Sequence, residues 1–208
     1  MRIVNAGPGS AMECVRCLLD GGLIIYPTET VYGLGADATN EGAVKRIFDV
    51  KGRDSKKPVS IAVANIEQAK KLAEFDDTAE VLAIRFLPGP LTLVLKARVD
   101  LPWITSDSRR IGIRIPKSRF AHELLNKFER PIVATSANLS GAVEPRNFDE
   151  IDRRFYDSVE IIVNGGSTKY KKPSTVVEVL KGRTRILREG AIGRSEIEKV
   201  LHPIHGYD

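Results

Sequence analysis

Five short segments break apolar runs with residue types that bind or stabilise charge. Tyr26-Pro27-Thr28-Glu29-Thr30 ends the apolar run Leu23–Tyr26 with hydroxyls and a carboxylate. Lys51-Gly52-Arg53 sets two cations at the end of a predicted helix. Ala134-Thr135-Ser136-Ala137-Asn138-Leu139-Ser140-Gly141 follows the apolar run Ile132–Ala134, and its small side chains let an oxyanion approach backbone N–H groups while Ser136 and Asn138 donate hydrogen bonds. Pro173-Ser174-Thr175 opens a predicted strand with two hydroxyls, and Ile186-Leu187-Arg188 closes another with a guanidinium. Taken singly, each has a plainer reading: Lys51 complements a helix dipole, and a Ser/Asn/Gly run is a turn. Taken together they are rich in donors and poor in carboxylates. Such surroundings stabilise negative charge, as phosphoryl or nucleotidyl transfer requires.

The charge distribution points the same way. The chain has 208 residues, with 32 Lys/Arg against 27 Asp/Glu, a net charge of +5. That excess favours anionic partners without proving nucleic-acid binding. Three clusters carry it. Gly166–Gly190 holds seven Lys/Arg against two Glu. Lys45, Arg46, Lys51, Arg53, Lys56 and Lys57 form the second, and Arg109, Arg110, Arg114, Lys117 and Arg119 the third. One such cluster is ordinarily a solvated face; three at the ends of apolar strands suggest an anion pocket assembled by the fold.

Several chemistries lack support. No G-x-x-x-x-G-K-[ST] is present, so no P-loop is expected. Gly33-Leu34-Gly35-Ala36-Asp37-Ala38 imitates a dinucleotide fingerprint, but Ala38 stands at the third glycine and no full βαβ unit frames it, so its glycines are expected to serve turns. Cys14-x-x-Cys17 sits on a predicted helix, and His122, His202 and His205 fit no standard zinc spacing; buried, reduced thiols and no metal site are expected. No histidine lies beside a plausible Ser or Cys nucleophile, so triad hydrolysis is not expected. With two cysteines, no apolar run near the ~20 residues of a membrane helix and no signal-peptide core in MRIVNAGPGS, the expected setting is cytoplasmic.

Hydrophobic periodicity and turn signals predict helices at Met12–Asp20, from Thr39 or Asn40 to Val50, at Glu67–Ala73, Thr78–Phe86, Arg119–Phe128, Phe148–Tyr156 and Ser195–Leu201. Strands are predicted at Leu23–Tyr26, Thr30–Leu34, Val59–Val63, Leu91–Ala97, Ile111–Ile115, Ile132–Thr135, Val159–Val163, Thr175–Leu180 and Thr184–Leu187, the last two as a hairpin. Residues 202–208 are expected to be a loose tail. No internal repeat or linker is evident. An α/β (α+β-like) single domain over 1–208 follows, with a large mixed sheet flanked by helices.

The ordered blocks YPTETVYGLGADA (26–38), KGRDSKKPVSI (51–61), FLPGPLTLVL (86–95), IGIRIP (111–116), ATSANLSG (134–141), PSTVVEV (173–179) and ILREGAI (186–192) resemble the YrdC-type threonylcarbamoyl-AMP synthase family over about residues 9–194. The resemblance implies a twisted mixed sheet with a basic concave face. It also implies synthesis of threonylcarbamoyl-adenylate and pyrophosphate from L-threonine, bicarbonate and ATP, for the threonylcarbamoyladenosine modification of tRNA. By the same resemblance, Lys51, Arg53, Ser136 and Asn138 form the catalytic core along the nucleotide phosphates, and Arg188 joins them in binding ATP. Thr30, Arg114, Ala134 and Ser174 bind threonine, with Arg114 paired to its carboxylate and Ala134 acting through its backbone. Magnesium is expected with ATP. A tRNA-modifying enzyme or complex is the expected partner, and tRNA itself is a possible ligand of the basic face.

The chain departs from the family pattern at four positions. Lys57 stands where many members have Asn, Ala62 where many have His, Arg110 where many have Thr, and Glu144 where many have Ser. Longer members carry an extra C-terminal domain, which a chain ending at Asp208 is expected to lack. Three other readings stay open: a related carbamoyl-transfer enzyme, an RNA-binding module using the basic face, and a nucleotide-binding protein without turnover. Aromatic content of 6%, with basic blocks not interleaved with aromatics, argues against sequence-specific single-strand recognition.

Overall fold

The computed structural model describes residues 1–54, 57–105 and 108–205, with side chains described through residue 201. The strands are β1 (Arg2–Asn5), β2 (Ile24–Tyr26), β3 (Gly33–Gly35), β4 (Ser60–Ala62), β5 (Leu91–Lys96), β6 (Arg110–Arg114), β7 (Ile132–Val133), β8 (Thr135–Ser136), β9 (Ile161–Asn164), β10 (Thr175–Leu180) and β11 (Arg183–Arg188). The helices are α1 (Pro8–Leu19), α2 (Glu41–Lys51), α3 (Ile66–Leu72), α4 (Asp77–Phe86), α5 (Pro102–Thr105), α6 (Arg119–Phe128) and α7 (Arg194–His205).

The strands divide between two mixed sheets where the sequence suggested one. The first runs β1-β9-β2-β3-β8 and the second β11-β10-β5-β6-β4-β7. The expected strand Ile132–Thr135 is the seam between them. Ile132 and Val133 pair antiparallel with β4 of the second sheet. Two residues on, Thr135 and Ser136 pair with Leu34 and Gly33 of the first. Ala134 lies at the crossing, its N–H donated to the Ser60 carbonyl at 2.8 Å.

Side-chain alternation with period two then sorts residues between core and seam. In the second sheet Leu91, Leu93 and Leu95, Ile111, Ile113 and Ile115, and Val177 and Val179 all enter the main core. The intervening Thr92, Arg114 and Val176 point to the other face, where they line a cavity. In the first sheet Leu23 and Ile25 join the main core, and Ile24 and Tyr26 join a smaller one under α1 and α6.

Helix ends follow their capping chemistry. Asn40 accepts from the Ala43 N–H to start α2, and Gly52 closes it in the left-handed region at φ 59°. Asn65, Asp76 and Ser118 cap α3, α4 and α6 in the same way. The expected helix Phe148–Tyr156 is instead two 3-10 turns, Phe148–Glu150 and Arg153–Phe155. Asn147 and Asp152 each accept a backbone N–H there and restart the chain. Gly33 and Gly35 are strand residues, not turn residues, because β3 is paired on both sides by β2 and β8. The backbone of residues 202–205 continues α7, where a loose tail was expected; residues 206–208 lie outside the described residues. Cys14 is buried and Cys17 half-buried. Burial pushes their thiols up to about 12 and about 11, so both stay protonated at neutral pH. Among the described residues no helix is long and apolar enough to cross a membrane.

Candidate active site

A cavity of about 390 Å³ opens along the seam between the sheets, within the size range of small-molecule sites. It is lined by Lys51, Arg53, Arg114, Ala134, Ser136, Asn138, Ser174 and Arg188, residues that sequence reasoning drew from five separate segments. Each reaches it from the end of an element. Lys51 is the last residue of α2 and Arg53 follows its glycine cap. Arg114 ends β6, Ser174 precedes β10 and Arg188 ends β11. Four cations thus converge on one cavity, and no carboxylate lines it among the described residues.

Lys51 is only 4% exposed. Its Nζ donates to the Asn138 carbonyl at 2.7 Å, to Asn138 Oδ1 at 3.4 Å and to the Ser136 carbonyl. Burial, reinforced by the charge of Arg53, lowers its pKa to about 8, and Glu144 opposes that shift. All three ammonium protons are therefore engaged with residues 136–138. Lys51 thereby fixes the loop that carries Ser136 and places a positive charge at the cavity wall.

Asn138 is committed in the same way. Its Nδ2 donates to the carbonyls of Leu139 at 3.1 Å and Ala142 at 2.6 Å, while Oδ1 accepts from the Ser136 hydroxyl. The expected backbone oxyanion site along 134–140 is also partly closed. Ala134, Ala137 and Ser140 donate their N–H groups to Ser60, Tyr32 and Lys51 carbonyls. The Ala134 N–H is therefore already engaged in the protein. The reason is the seam itself: a segment shared by two sheets spends its N–H groups joining them.

The guanidinium groups retain more free donors. Arg53 Nη2 donates to the Pro58 carbonyl at 2.7 Å, and its Nε is buried without a partner. Arg188 Nε and Nη2 donate to the Ser174 carbonyl at 3.2 and 2.9 Å. Burial pushes the pKa of both arginines down, but a guanidinium starts so high that each stays charged. Ser174 Oγ shares a hydrogen bond of 2.8 Å with Thr92 Oγ1, a second hydroxyl of the cavity wall.

Arg114 and Thr30 are in direct contact. Arg114 Nη2 donates to Thr30 Oγ1 at 2.7 Å and to Glu29 Oε1 at 2.9 Å. Thr30 is fully buried and lies behind Arg114, outside the cavity lining. A bidentate carboxylate fork on an arginine needs an Nη2 proton, and both are already taken. Glu29 was not among the expected site residues. Its signal was a carboxylate at the end of the apolar run Leu23–Tyr26.

Other expected anion ligands lie elsewhere. Arg110 pairs with Glu178 at 2.6 Å and Arg46 with Glu160 at 2.7 Å, both away from the cavity lining. Ala62, at the position where many members have histidine, does line the cavity. Lys56 of the second basic cluster lies outside the described residues.

Comparison with known proteins follows this geometry. A family model described as Telomere recombination, Sua5/YciO/YrdC, matches residues 16–190. The chain is 44% identical over 187 residues to a threonylcarbamoyl-AMP synthase of Pyrococcus abyssi, covering 89% of this chain and 55% of that protein. It is 38% identical over 175 residues to a putative threonylcarbamoyl-AMP synthase of Methanocaldococcus jannaschii, covering 84% and 83% of the two chains. The crystal structure of P. abyssi Sua5 complexed with L-threonine superposes with a TM-score of 0.92 at 39% identity, over 97% of this chain and 61% of that one. The chain thus spans little more than half the length of the Pyrococcus protein and most of the Methanocaldococcus one.

Proposed function

The chain belongs to the Sua5/YciO/YrdC family, and we propose that it makes threonylcarbamoyl-AMP and pyrophosphate from L-threonine, bicarbonate and ATP. The observation that carries this reading is the gathering of four cations, Lys51, Arg53, Arg114 and Arg188, with Ser136 and Asn138 around one cavity whose described lining has no carboxylate. In this reading Lys51, Arg53, Ser136, Asn138 and Arg188 serve the polyphosphate, and Arg114, backed by Glu29 and Thr30, serves a single carboxylate.

In the reaction, the ammonium of threonine gives up a proton, and the free amine condenses with bicarbonate to a carbamate, releasing water. A carbamate oxygen then attacks the α-phosphorus of ATP, and the bond to pyrophosphate breaks with the electron pair leaving on pyrophosphate. Arg53 and Arg188 take the phosphate oxygens with their free N–H groups. Lys51 contributes charge from its fixed position on the 136–138 loop, where it stabilises the transition state without reorganising. Arg114 orients the carboxylate. Ser136 turns its hydroxyl from Asn138 toward a phosphate oxygen.

The described lining residues include no carboxylate, and no group of three or more His, Cys, Asp or Glu suited to a metal occurs among the described residues. The cavity therefore does not fit a protein-held cation. Magnesium belongs to the reading as a companion of the ATP phosphates, keeping its own waters. The further parts of the reading are a cytoplasmic setting, a partner enzyme that transfers the threonylcarbamoyl group to tRNA, and phosphate-mediated contact of tRNA with the basic surface.

Supplying [13C]bicarbonate with L-threonine and ATP tests the proposal. The label is expected in an adenylate that also contains threonine. An adenylate of threonine without the label would contradict it.

A further inference from the structure

Among the described ion pairs, Glu29–Arg114 is the one with both side chains buried, at 5% and 10% exposure. It is also incompletely satisfied. Glu29 Oε1 accepts from Arg114 Nη2, but Glu29 Oε2 and Arg114 Nε are buried without partners. Withdrawing two charges from water costs several kcal/mol per ion unless their remaining lone pairs and protons are met. A pair left in this state is a poor device for stabilising a fold, so its presence at the cavity wall calls for another reason.

The geometry supplies one. Arg114 Nη2 is gripped from two sides, by Glu29 Oε1 and Thr30 Oγ1. Thr30 Oγ1 is itself held by Thr28 Oγ1 at 2.9 Å, and Thr28 Oγ1 donates to the Val31 carbonyl at 2.7 Å. Neither Glu29 nor Thr30 lines the cavity, whereas Arg114 does. With Nη2 held in the β2–β3 connection and Nε enclosed, Nη1 is the edge that Arg114 presents.

We infer that Glu29 is a positioning residue for amino-acid recognition: its carboxylate anchors Arg114 Nη2 so that Nη1 meets the substrate carboxylate. This rests on the reading of the Arg114 end as the amino-acid subsite. Glu29 touches no substrate and acts through Arg114. What matters is the acceptor oxygen at the anchoring point, so the amide oxygen of glutamine serves there and a methyl group does not.

The test compares wild type, Glu29→Ala and Glu29→Gln in protein labelled with [15N]arginine, the Arg114 signals being identified by their loss in Arg114→Lys. Resolved Arg114 guanidinium signals are expected in wild type and Glu29→Gln, and exchange-averaged ones in Glu29→Ala. The L-threonine dissociation constant is expected to rise about 10- to 100-fold in Glu29→Ala, the size of one charge-assisted hydrogen bond. It should largely recover in Glu29→Gln, with ATP affinity unchanged in both. Identical Arg114 signals in wild type and Glu29→Ala would overturn the inference. So would unchanged threonine affinity in Glu29→Ala, or a Gln variant as impaired as the Ala variant. Failure of the wild type to bind threonine would instead remove the amino-acid reading of the subsite, and the guanidinium signals would still decide whether Glu29 anchors Arg114.

Discussion

Replacing Lys51 by alanine separates its two roles. A lysine ordinarily titrates near 10.5, and burial holds Lys51 near 8. Because the folded-state value is the lower one, the folded protein releases this proton first. Between pH 8 and 10.5 the unfolded chain binds more protons, so stability rises with pH across that window. The 2.5-unit difference between those two values corresponds to about 3 kcal/mol, at roughly 1.36 kcal/mol per unit. This cost of burying the charge is fully present below pH 8. Lys51→Ala removes it but strands the Ser136 and Asn138 carbonyls that Nζ now satisfies. Orphaned buried acceptors cost about 1–3 kcal/mol each, so the variant is expected to fold with similar or slightly lower stability at pH 7. Its rate of pyrophosphate release should nonetheless fall roughly a hundred- to a thousand-fold, the loss of about 2.7–4 kcal/mol of transition-state stabilisation. The stability of wild type relative to Lys51→Ala should climb from pH 8 to 10.5, while wild-type kcat/KM for ATP declines as Lys51 of the free enzyme discharges above pH 8. Denaturant titrations at several pH values and initial rates measure both. A near-normal mutant rate, or a stability difference flat across that pH range, would refute the reasoning.

Arg114→Lys is expected to weaken threonine binding while leaving ATP binding nearly intact, because a single-nitrogen ammonium cannot sit on Glu29 and Thr30 and also reach the ligand from a second, rigidly spaced nitrogen as the planar guanidinium does; separate titrations of the two substrates decide it, and equal weakening would remove Arg114 from the threonine subsite. A Cβ added at Gly190 would sit 2.3 Å from the Pro173 carbonyl oxygen and 2.7 Å from the Ser174 carbonyl carbon. Gly190→Ala should therefore displace the entry to β10, cost about 1–3 kcal/mol of stability and weaken ATP binding through the Arg188–Ser174 contact; an unchanged melting temperature and ATP affinity would contradict this. Affinity for RNA is expected to be electrostatic, falling steeply with salt and varying little with sequence, and salt-insensitive, sequence-selective binding would contradict that expectation.

Local chemistry was legible in the sequence where one element decides it. α6 and β10 keep the predicted bounds Arg119–Phe128 and Thr175–Leu180, since each pairs clear periodicity with strong end signals. β1 escaped notice because Arg2–Asn5 is a short edge strand with three of four residues exposed, so burial imposes no pattern on it. α1 begins at Pro8, earlier than expected, because a Gly-Pro-Gly-Ser stretch resembles a loop until proline is seen as the first residue of a helix. The two-sheet division was not legible. It depends on the chain changing partners at Ala134, from β4 before it to β3 after it, a choice made by residues far apart in the chain. The site followed the same rule. Residue types at Lys51, Arg53, Ser136 and Arg188 announced a donor-rich pocket, but their present partners could not be inferred. Nothing local says that Lys51 and Asn138 spend their hydrogen bonds on the loop, that Thr30 stands behind Arg114, or that Glu29 closes on a guanidinium 85 positions away.

The central claim is that this cavity joins three substrates in a fixed chemical order, because the nucleophile is a carbamate that does not exist until threonine meets bicarbonate. Pyrophosphate release from ATP, measured with the complete mixture and then with threonine or bicarbonate omitted in turn, tests this most directly. The account predicts release only when all three are present, with the omissions falling to background. Release that persists without threonine, or none under any mixture, would contradict it.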